Sequence, residues 1–148
     1  MSPGQTEWAV LDASVVLPIL LKDPRGPACA ELILRLSEKG VNFTSPTLFA
    51  YETTNGLTRA RLAGQIEDRE GEAALQTIDD LDIRMVVPDL ELRRRAFEWT
   101  RDLGRAAAYD SFYLALAERH ACDLWVTDGR LARAADLPWV RLVSELAP

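Results

Sequence analysis

The chain has 148 residues, 17 of them basic and 23 acidic, for a formal net charge of −6, and 48% of its residues are hydrophobic. The composition is ordinary for a globular protein, and the length suits a single domain, which we expect to span residues 1–148. The acidic balance is not that of a typical nucleic-acid binder. Because His120 is the only histidine, a Cys/His zinc site and a histidine-based triad are excluded.

The sequence gives no sign of export or membrane insertion. No apolar run approaches the length needed to cross a bilayer, and the first seven residues lack the basic start of a signal peptide. We therefore expect a cytoplasmic protein with no membrane partner. Cys29 and Cys122 lie far apart in apolar surroundings, and in a reducing compartment we expect them to remain unpaired.

Strand-like and helix-like patterns alternate along the chain. Strands are predicted at 8–11, 41–44, 84–87, 123–127 and 140–143, and helices at 15–21, 28–39, 46–62, 65–81, 90–103, 109–121 and 130–135. Such alternation predicts an α/β fold with a mainly parallel central sheet of four to five strands flanked by helices. In sheets of this kind, ligands bind beyond the carboxyl ends of the strands.

Three of the predicted helices carry more specific expectations. Ser45 and Pro46 suit an N-cap and a first helical residue, so the third helix is predicted to start there. The helix over 109–121 is apolar nearly all round, which is typical of a buried central element. The helix over 65–81 is amphipathic, and its expected core contacts are Ile66, Ala73, Leu75 and Ile78.

Four carboxylates lie at the edges of apolar segments: Asp12, Glu52, Asp110 and Asp128. Desolvating an isolated carboxylate is costly, and a hard divalent cation such as Mg²⁺ or Mn²⁺ offsets that cost through oxygen ligation. Asp12 and Asp128 both follow predicted strands, at the edge where ligands collect. A site of this kind can activate water and stabilise charge on a phosphate, so it favours phosphodiester hydrolysis.

Three polar residues near these carboxylates are candidates to support them. Ser14 lies two residues after Asp12, Thr127 lies beside Asp128, and Asn55 lies one helical turn after Glu52. Such side chains commonly hydrogen-bond a metal-binding carboxylate or a nearby water.

Each candidate also has a purely structural explanation. Asp12, Asp110 and Asp128 suit helix N-caps, and Glu52 suits a buried ion pair with an arginine. Thr127 suits an ordinary strand position. Four such coincidences are less credible than one shared site.

Several arginines lie close to the acidic residues in sequence, namely Arg93, Arg94, Arg95, Arg101 and Arg105 before Asp110, and Arg130 and Arg133 after Asp128. Arginines in these places suit phosphate contacts around an acidic centre. For the run at 93–95, a solvated helix face is the simpler interpretation.

The ordered set of motifs resembles the PIN-domain ribonucleases, in particular the VapC-type toxins of bacterial toxin–antitoxin pairs. The likeness rests on Val10-Leu11-Asp12-Ala13-Ser14, on Ser45-Pro46 through Tyr51-Glu52, on Ala108-Tyr109-Asp110-Ser111-Phe112-Tyr113-Leu114-Ala115-Leu116-Ala117, and on Val126-Thr127-Asp128-Gly129-Arg130-Leu131. These motifs span nearly the whole chain. In one departure, Thr127 and Asp128 are adjacent, whereas the family often has one residue between them.

The resemblance implies an endoribonuclease that depends on Mg²⁺ or Mn²⁺. Asp12 and Asp110 would be the main metal ligands, with Glu52 and Asp128 completing the acidic site. It further implies a homodimer, an RNA substrate and a small VapB-type antitoxin that blocks the site. A PIN-type nuclease of RNA processing or repair without a toxin role is the first alternative. A non-catalytic domain whose acidic cluster binds a basic partner segment is the second.

Overall fold

The computed structural model describes residues 6–105 and 108–143, and its framework is a parallel β-sheet. The strands in these residues are β1 (Trp8–Leu11), β2 (Asn42–Pro46), β3 (Arg84–Val86), β4 (Asp123–Val126) and β5 (Val140–Leu142). They are arranged in the order β3-β2-β1-β4-β5, and every neighbouring pair is parallel. The predicted α/β architecture with a parallel sheet is confirmed, with five strands in the described chain. Residues 1–5, 106–107 and 144–148, which the predicted domain also includes, lie outside the described residues.

Helices flank this sheet. In the described ranges they are α1 (Ala13–Leu20), α2 (Gly26–Glu38), α3 (Leu48–Leu62), α4 (Asp68–Asp80), α5 (Leu90–Asp102), α6 (Tyr109–His120) and α7 (Gly129–Ala135). Most predicted boundaries agree with these to within two or three residues. The helix α6 packs against β1, β2 and β4, and its residues Tyr113 to Ala117 are buried, as its apolar sequence predicted.

The central strands explain where a ligand site can form. β1 lies in the middle of the sheet, with β2 on one side and β4 on the other. The chain winds outward from β1 through β2 to β3, and later from β4 to β5, so the winding direction reverses between β1 and β4. A reversal of this kind opens a crevice at the carboxyl ends of the strands, which is the usual ligand position in parallel α/β sheets.

The predicted start of the third helix is wrong. Ser45 and Pro46 are the last two residues of β2, where they pair with Met85 and Val86 of β3. Helix α3 begins at Leu48, and its N-cap Thr47 makes no side-chain capping bond. The Ser45 hydroxyl donates instead to the Leu11 carbonyl at 2.7 Å. A serine–proline pair suits a helix start locally, but here the sheet pairing of β2 determines the conformation.

Two predicted core contacts of the fourth helix are also wrong. Ala73 and Leu75 are exposed, whereas Ala74 and Ile78 are the buried residues of α4. The helix starts at Asp68, after a capping box formed by Glu67 and Glu70, and the predicted start at residue 65 was too early. The expectation that the two cysteines are unpaired is confirmed, because Cys29 and Cys122 are both free thiols. Within the described ranges no helix is long and apolar enough to span a bilayer.

The buried Ser45 hydroxyl yields a stability prediction. Ser45→Ala removes the hydrogen bond to the Leu11 carbonyl between β2 and β1, and we expect it to lower the free energy of unfolding by about 1–2 kcal/mol. Urea denaturation measures the change. Ser37→Ala, on the exposed surface of α2, is the matched control and should change stability by less than about 0.5 kcal/mol. Equal stabilities for the two variants would contradict this role of Ser45.

Candidate active site

Asp12 lies at the carboxyl end of β1, where the strand passes directly into α1. Its carboxylate accepts a hydrogen bond from the Ser14 backbone N–H at 3.1 Å, which makes it the N-cap of α1, and its own N–H donates to the Trp125 carbonyl of β4 at 3.1 Å. Burial, together with the negative charges of Glu52 and Asp110, raises the pKa of Asp12 to about 6, although hydrogen bonds from Ser14 oppose the rise. The capping explanation is therefore correct, but it does not account for this environment, since two other carboxylates act on Asp12.

Ser14 and Thr127 join the ends of β1 and β4. The Ser14 hydroxyl accepts from the Thr127 N–H at 3.1 Å, and the Thr127 hydroxyl donates to the Ser14 carbonyl at 3.2 Å. Arg25 donates to the Thr127 hydroxyl at 3.4 Å while its guanidinium pairs with Asp23. The predicted supporting residues Ser14 and Thr127 thus hold the two segments that carry Asp12 and Asp128, and a guanidinium stands beside them.

Glu52 lies on α3 and is bound by a tyrosine, not by the arginine that its structural explanation required. The Tyr113 hydroxyl of α6 donates to Glu52 Oε1 at 2.6 Å. Burial raises the pKa of Glu52, and the Asp110 charge adds to this, while the Tyr113 hydrogen bond lowers it. Burial also raises the pKa of Tyr113, helped by the charges of Asp12 and Glu52, so this phenol stays protonated and remains a donor.

A glycine allows α3 to approach the first helix. Gly56 lies one turn after Glu52, on the same side of α3. A Cβ at this position would lie 2.7 Å from Leu17 Cδ1 of α1, well inside van der Waals contact. The absence of a side chain at Gly56 therefore lets the Leu17 side chain of α1 pack directly against α3.

Asp110 lies in the first turn of α6 and is held by an arginine. Its predicted role as an N-cap is wrong, because the N-cap is Ala108, which makes no side-chain capping bond. The Asp110 carboxylate forms an ion pair with Arg105, with 3.1 Å between Nη1 and Oδ2. Burial raises the pKa of Asp110, the Arg105 charge opposes that rise, and the Asp128 charge adds to it.

Asp128 follows β4 and is the most exposed of the four carboxylates. It caps α7 by accepting from the Arg130 N–H at 2.8 Å, so its structural explanation is correct as well. Its charge nevertheless acts on Asp110.

The four carboxylates therefore form one electrostatic group. Asp12 is influenced by Glu52 and Asp110, Glu52 by Asp110, and Asp110 by Asp128. The topology explains this convergence, because Asp12 and Asp128 follow β1 and β4 at the switch point while α3 and α6 supply the other two. Like charges gathered in a partly desolvated place favour proton uptake or a bound cation.

The chemistry of this donor set fits a hard divalent cation. All four side chains offer carboxylate oxygens, and the raised pKa values show that the charges lack sufficient compensation from the protein. In residues 6–105 and 108–143, no three His, Cys, Asp or Glu side chains are already arranged around one point as a metal site. Each carboxylate is turned towards its own donor: Ser14 for Asp12, Tyr113 for Glu52, Arg105 for Asp110, and Arg130 N–H for Asp128.

The other residues singled out from the sequence, Asn55 and the arginines of α5, lie on exposed helix surfaces. Asn55 is exposed on α3, one turn after Glu52, and its supporting role stays a prediction. Arg94 and Arg95 pair with glutamates on the outer surface of α5 and α6, which agrees with a solvated helix face. Sequence reasoning did not identify Tyr113 or Gly56 as site residues, although Tyr113 has a signal in its polar hydroxyl within an otherwise apolar helix.

An α/β domain with carboxylates at the switch point of a parallel sheet has them where ligands usually bind in such folds. A protein-family model described as PIN domain matches residues 9–137, from β1 to the end of α7 and its immediate vicinity, and includes all four carboxylates. The chain belongs to the PIN domain family. No curated protein matches the sequence. PIN domains are generally nucleases and typically use divalent metals, so the fold is that of a nuclease.

The raised pKa of Asp12 predicts how stability changes with pH in EDTA. Below its ordinary value of 3.8, Asp12 is protonated in the folded and unfolded protein, and above about 6 it is ionised in both. Between these values only the unfolded form is ionised, so the free energy of unfolding falls as pH rises. In Asp12→Asn, the asparagine can still cap α1, but it cannot ionise, so its free energy of unfolding does not fall in this way as pH rises. We expect its stability relative to the wild type to grow by about 2 kcal/mol from about pH 4 to about pH 7.

Urea denaturation across this pH range tests the expectation. Asp79→Asn, an exposed position on α4, provides the control for removing a carboxylate elsewhere. If the difference in free energy of unfolding between Asp12→Asn and the wild type does not change with pH, the pKa of Asp12 is not raised in the folded protein.

Proposed function

We propose that the protein is an endoribonuclease that depends on Mg²⁺ or Mn²⁺ and hydrolyses phosphodiester bonds at the group formed by Asp12, Glu52, Asp110 and Asp128. The observation that carries this proposal is the electrostatic coupling of the four carboxylates at the switch point of a PIN fold. Asp12 and Asp110 are the main candidate ligands, because they lie at the centre of that coupling. Glu52 and Asp128 complete the set from either side.

The protein groups have separate tasks in this proposal. A bound divalent cation supplies Lewis acidity and lowers the pKa of water for attack on phosphorus. Asp12 is held in place through Ser14, and Ser14 is tied through Thr127 to the end of β4. Tyr113 fixes the Glu52 carboxylate from α6. These contacts set the direction from which carboxylate oxygens enter the site.

The surroundings suit a single-stranded nucleic acid. Arg25 and Arg105 lie beside the acidic group and offer planar guanidinium donors, which match phosphate oxygens. Two exposed aromatic rings adjoin the candidate ligands in sequence: Tyr51 precedes Glu52 with 72% exposure, and Tyr109 precedes Asp110 with 62% exposure. Exposed rings of this kind stack on unpaired bases with little sequence preference.

The resemblance to VapC-type toxins supports a more specific biological role than RNA cleavage alone. We propose that the protein acts in the cytoplasm as the toxin of a type II toxin–antitoxin pair, as a homodimer, and is blocked by a small VapB-type antitoxin. A processing nuclease would share the chemistry but would lack such a partner. Growth arrest on expression, relieved by the product of a small neighbouring gene that co-purifies with the protein, distinguishes the toxin from the processing enzyme.

The catalytic role of the acidic group is tested with conservative amide variants. Asp12→Asn or Asp110→Asn removes a ligand charge with little change in shape, and we expect RNA cleavage in Mg²⁺ or Mn²⁺ to fall at least ~100-fold. Gel analysis of total RNA treated with purified protein measures cleavage, and EDTA should abolish it. Circular dichroism verifies that both variants fold.

Asp79→Asn is the matched control and should cleave like the wild type, because Asp79 is exposed on α4. Wild-type cleavage by Asp110→Asn would refute the proposed site. A protein that binds a basic partner segment stoichiometrically, with no metal-dependent cleavage of any RNA, would favour the non-catalytic binding domain.

A further inference from the structure

One of the four carboxylates is neutralised by a cation of the chain itself. Among the ion pairs in residues 6–105 and 108–143, a single one involves the acidic group, namely that between Arg105 and Asp110. Asp12, Glu52 and Asp128 are instead bound by uncharged donors. Both partners are partly shielded, since the Arg105 side chain is 28% exposed and the Asp110 side chain is 36% exposed. Arg105 thus places a positive charge on Asp110 Oδ2, and a divalent cation bound to the same carboxylate would have to compete with it.

The backbone at Arg105 is fixed independently of this ion pair. Just after the end of helix α5, Gly104 adopts the left-handed conformation, at φ +65°, and the Arg105 N–H donates to the Thr100 carbonyl at 3.1 Å. This pattern is a common C-terminal helix cap. Because the cap holds the main chain, the long arginine side chain can leave Asp110 without disturbing either helix.

A guanidinium released at this position has a suitable second partner. Phosphate and carboxylate present similar pairs of oxygens, and arginine binds both through the same forked donors. We propose that Arg105 is a positioning residue with two partners: it pairs with Asp110 in the metal-free protein and transfers to a phosphate of the bound RNA when a divalent cation takes Asp110. This inference rests on the proposed nuclease function and adds an ordered exchange of partners to it.

The exchange predicts opposite effects on two affinities. In Arg105→Gln no guanidinium competes for Asp110, so Mn²⁺ should bind about fivefold to tenfold more tightly than to the wild type. The same variant lacks a phosphate contact, so RNA should bind about fivefold to tenfold more weakly in the presence of a divalent cation. A residue that merely held Asp110 in place would not produce this pair of opposite changes.

Calorimetric titration with Mn²⁺ gives the first affinity. Fluorescence anisotropy of a labelled mixed-sequence single-stranded RNA gives the second, with Ca²⁺ as the divalent cation because it takes the same oxygen ligands. Gel electrophoresis after each measurement verifies that the RNA is intact. Arg35→Gln is the matched control, since Arg35 is 51% exposed and forms an ion pair with Glu31 on α2.

The outcomes separate this inference from the proposed function. Tighter Mn²⁺ binding with weaker RNA binding in Arg105→Gln, and neither change in Arg35→Gln, supports the exchange. Unchanged or weaker Mn²⁺ binding in Arg105→Gln overturns it, and so does unchanged RNA binding. If the wild type and Arg105→Gln both fail to bind Mn²⁺, the proposed metal site itself is wrong and the exchange falls with it.

Discussion

Repulsion among carboxylates at one edge of the sheet is the constraint that organises this protein. The parallel topology places Asp12 and Asp128 at neighbouring strand ends, and the packing of α3 and α6 adds Glu52 and Asp110. Desolvation raises the pKa of Asp12, Glu52 and Asp110, and the nearby negative charges raise them further. Bringing these like charges together lowers the stability of the fold, so their arrangement indicates a function that uses them.

The contacts around the group show how the fold tolerates it. A backbone N–H donates a hydrogen bond to Asp12, a tyrosine hydroxyl donates one to Glu52, and an arginine donates one to Asp110. Each contact supplies one carboxylate with a donor, which offsets part of the cost of holding its charge there. Carboxylate oxygens of this kind are also the ligands that a hard divalent cation prefers. The protein's own donors thus accommodate the acidic group, and a divalent cation is the partner that we propose for its remaining charge.

Much of this arrangement could be predicted from the sequence, because it depends on local patterns. Alternating strand and helix signals gave the parallel sheet, and a strand followed by an aspartate placed Asp12 and Asp128 at its ligand-binding edge. The apolar helix around Tyr113 was expected at the centre and lies there. These inferences succeeded because hydrophobic periodicity and strand direction are properties of short segments.

The features that the sequence did not reveal depend on contacts between distant segments. Ser45 resembles a helix cap until β3 pairs beside it, and the tyrosine partner of Glu52 lies 61 residues away. Gly56 has no local role, and its importance appears only where α3 meets Leu17. Arg105 was one of several nearby arginines, and only the three-dimensional structure distinguishes it as the partner of Asp110.

The most direct test of the account is a crystal structure of the protein grown with Mn²⁺, in which anomalous scattering locates the ion. We expect an anomalous peak at the carboxyl edge of the sheet, ligated by Asp12 and Asp110, with the Arg105 guanidinium displaced from Asp110. Anomalous density elsewhere, or an acidic group that remains metal-free with the Arg105–Asp110 pair intact, would contradict the claim that these carboxylates form a metal-dependent active site.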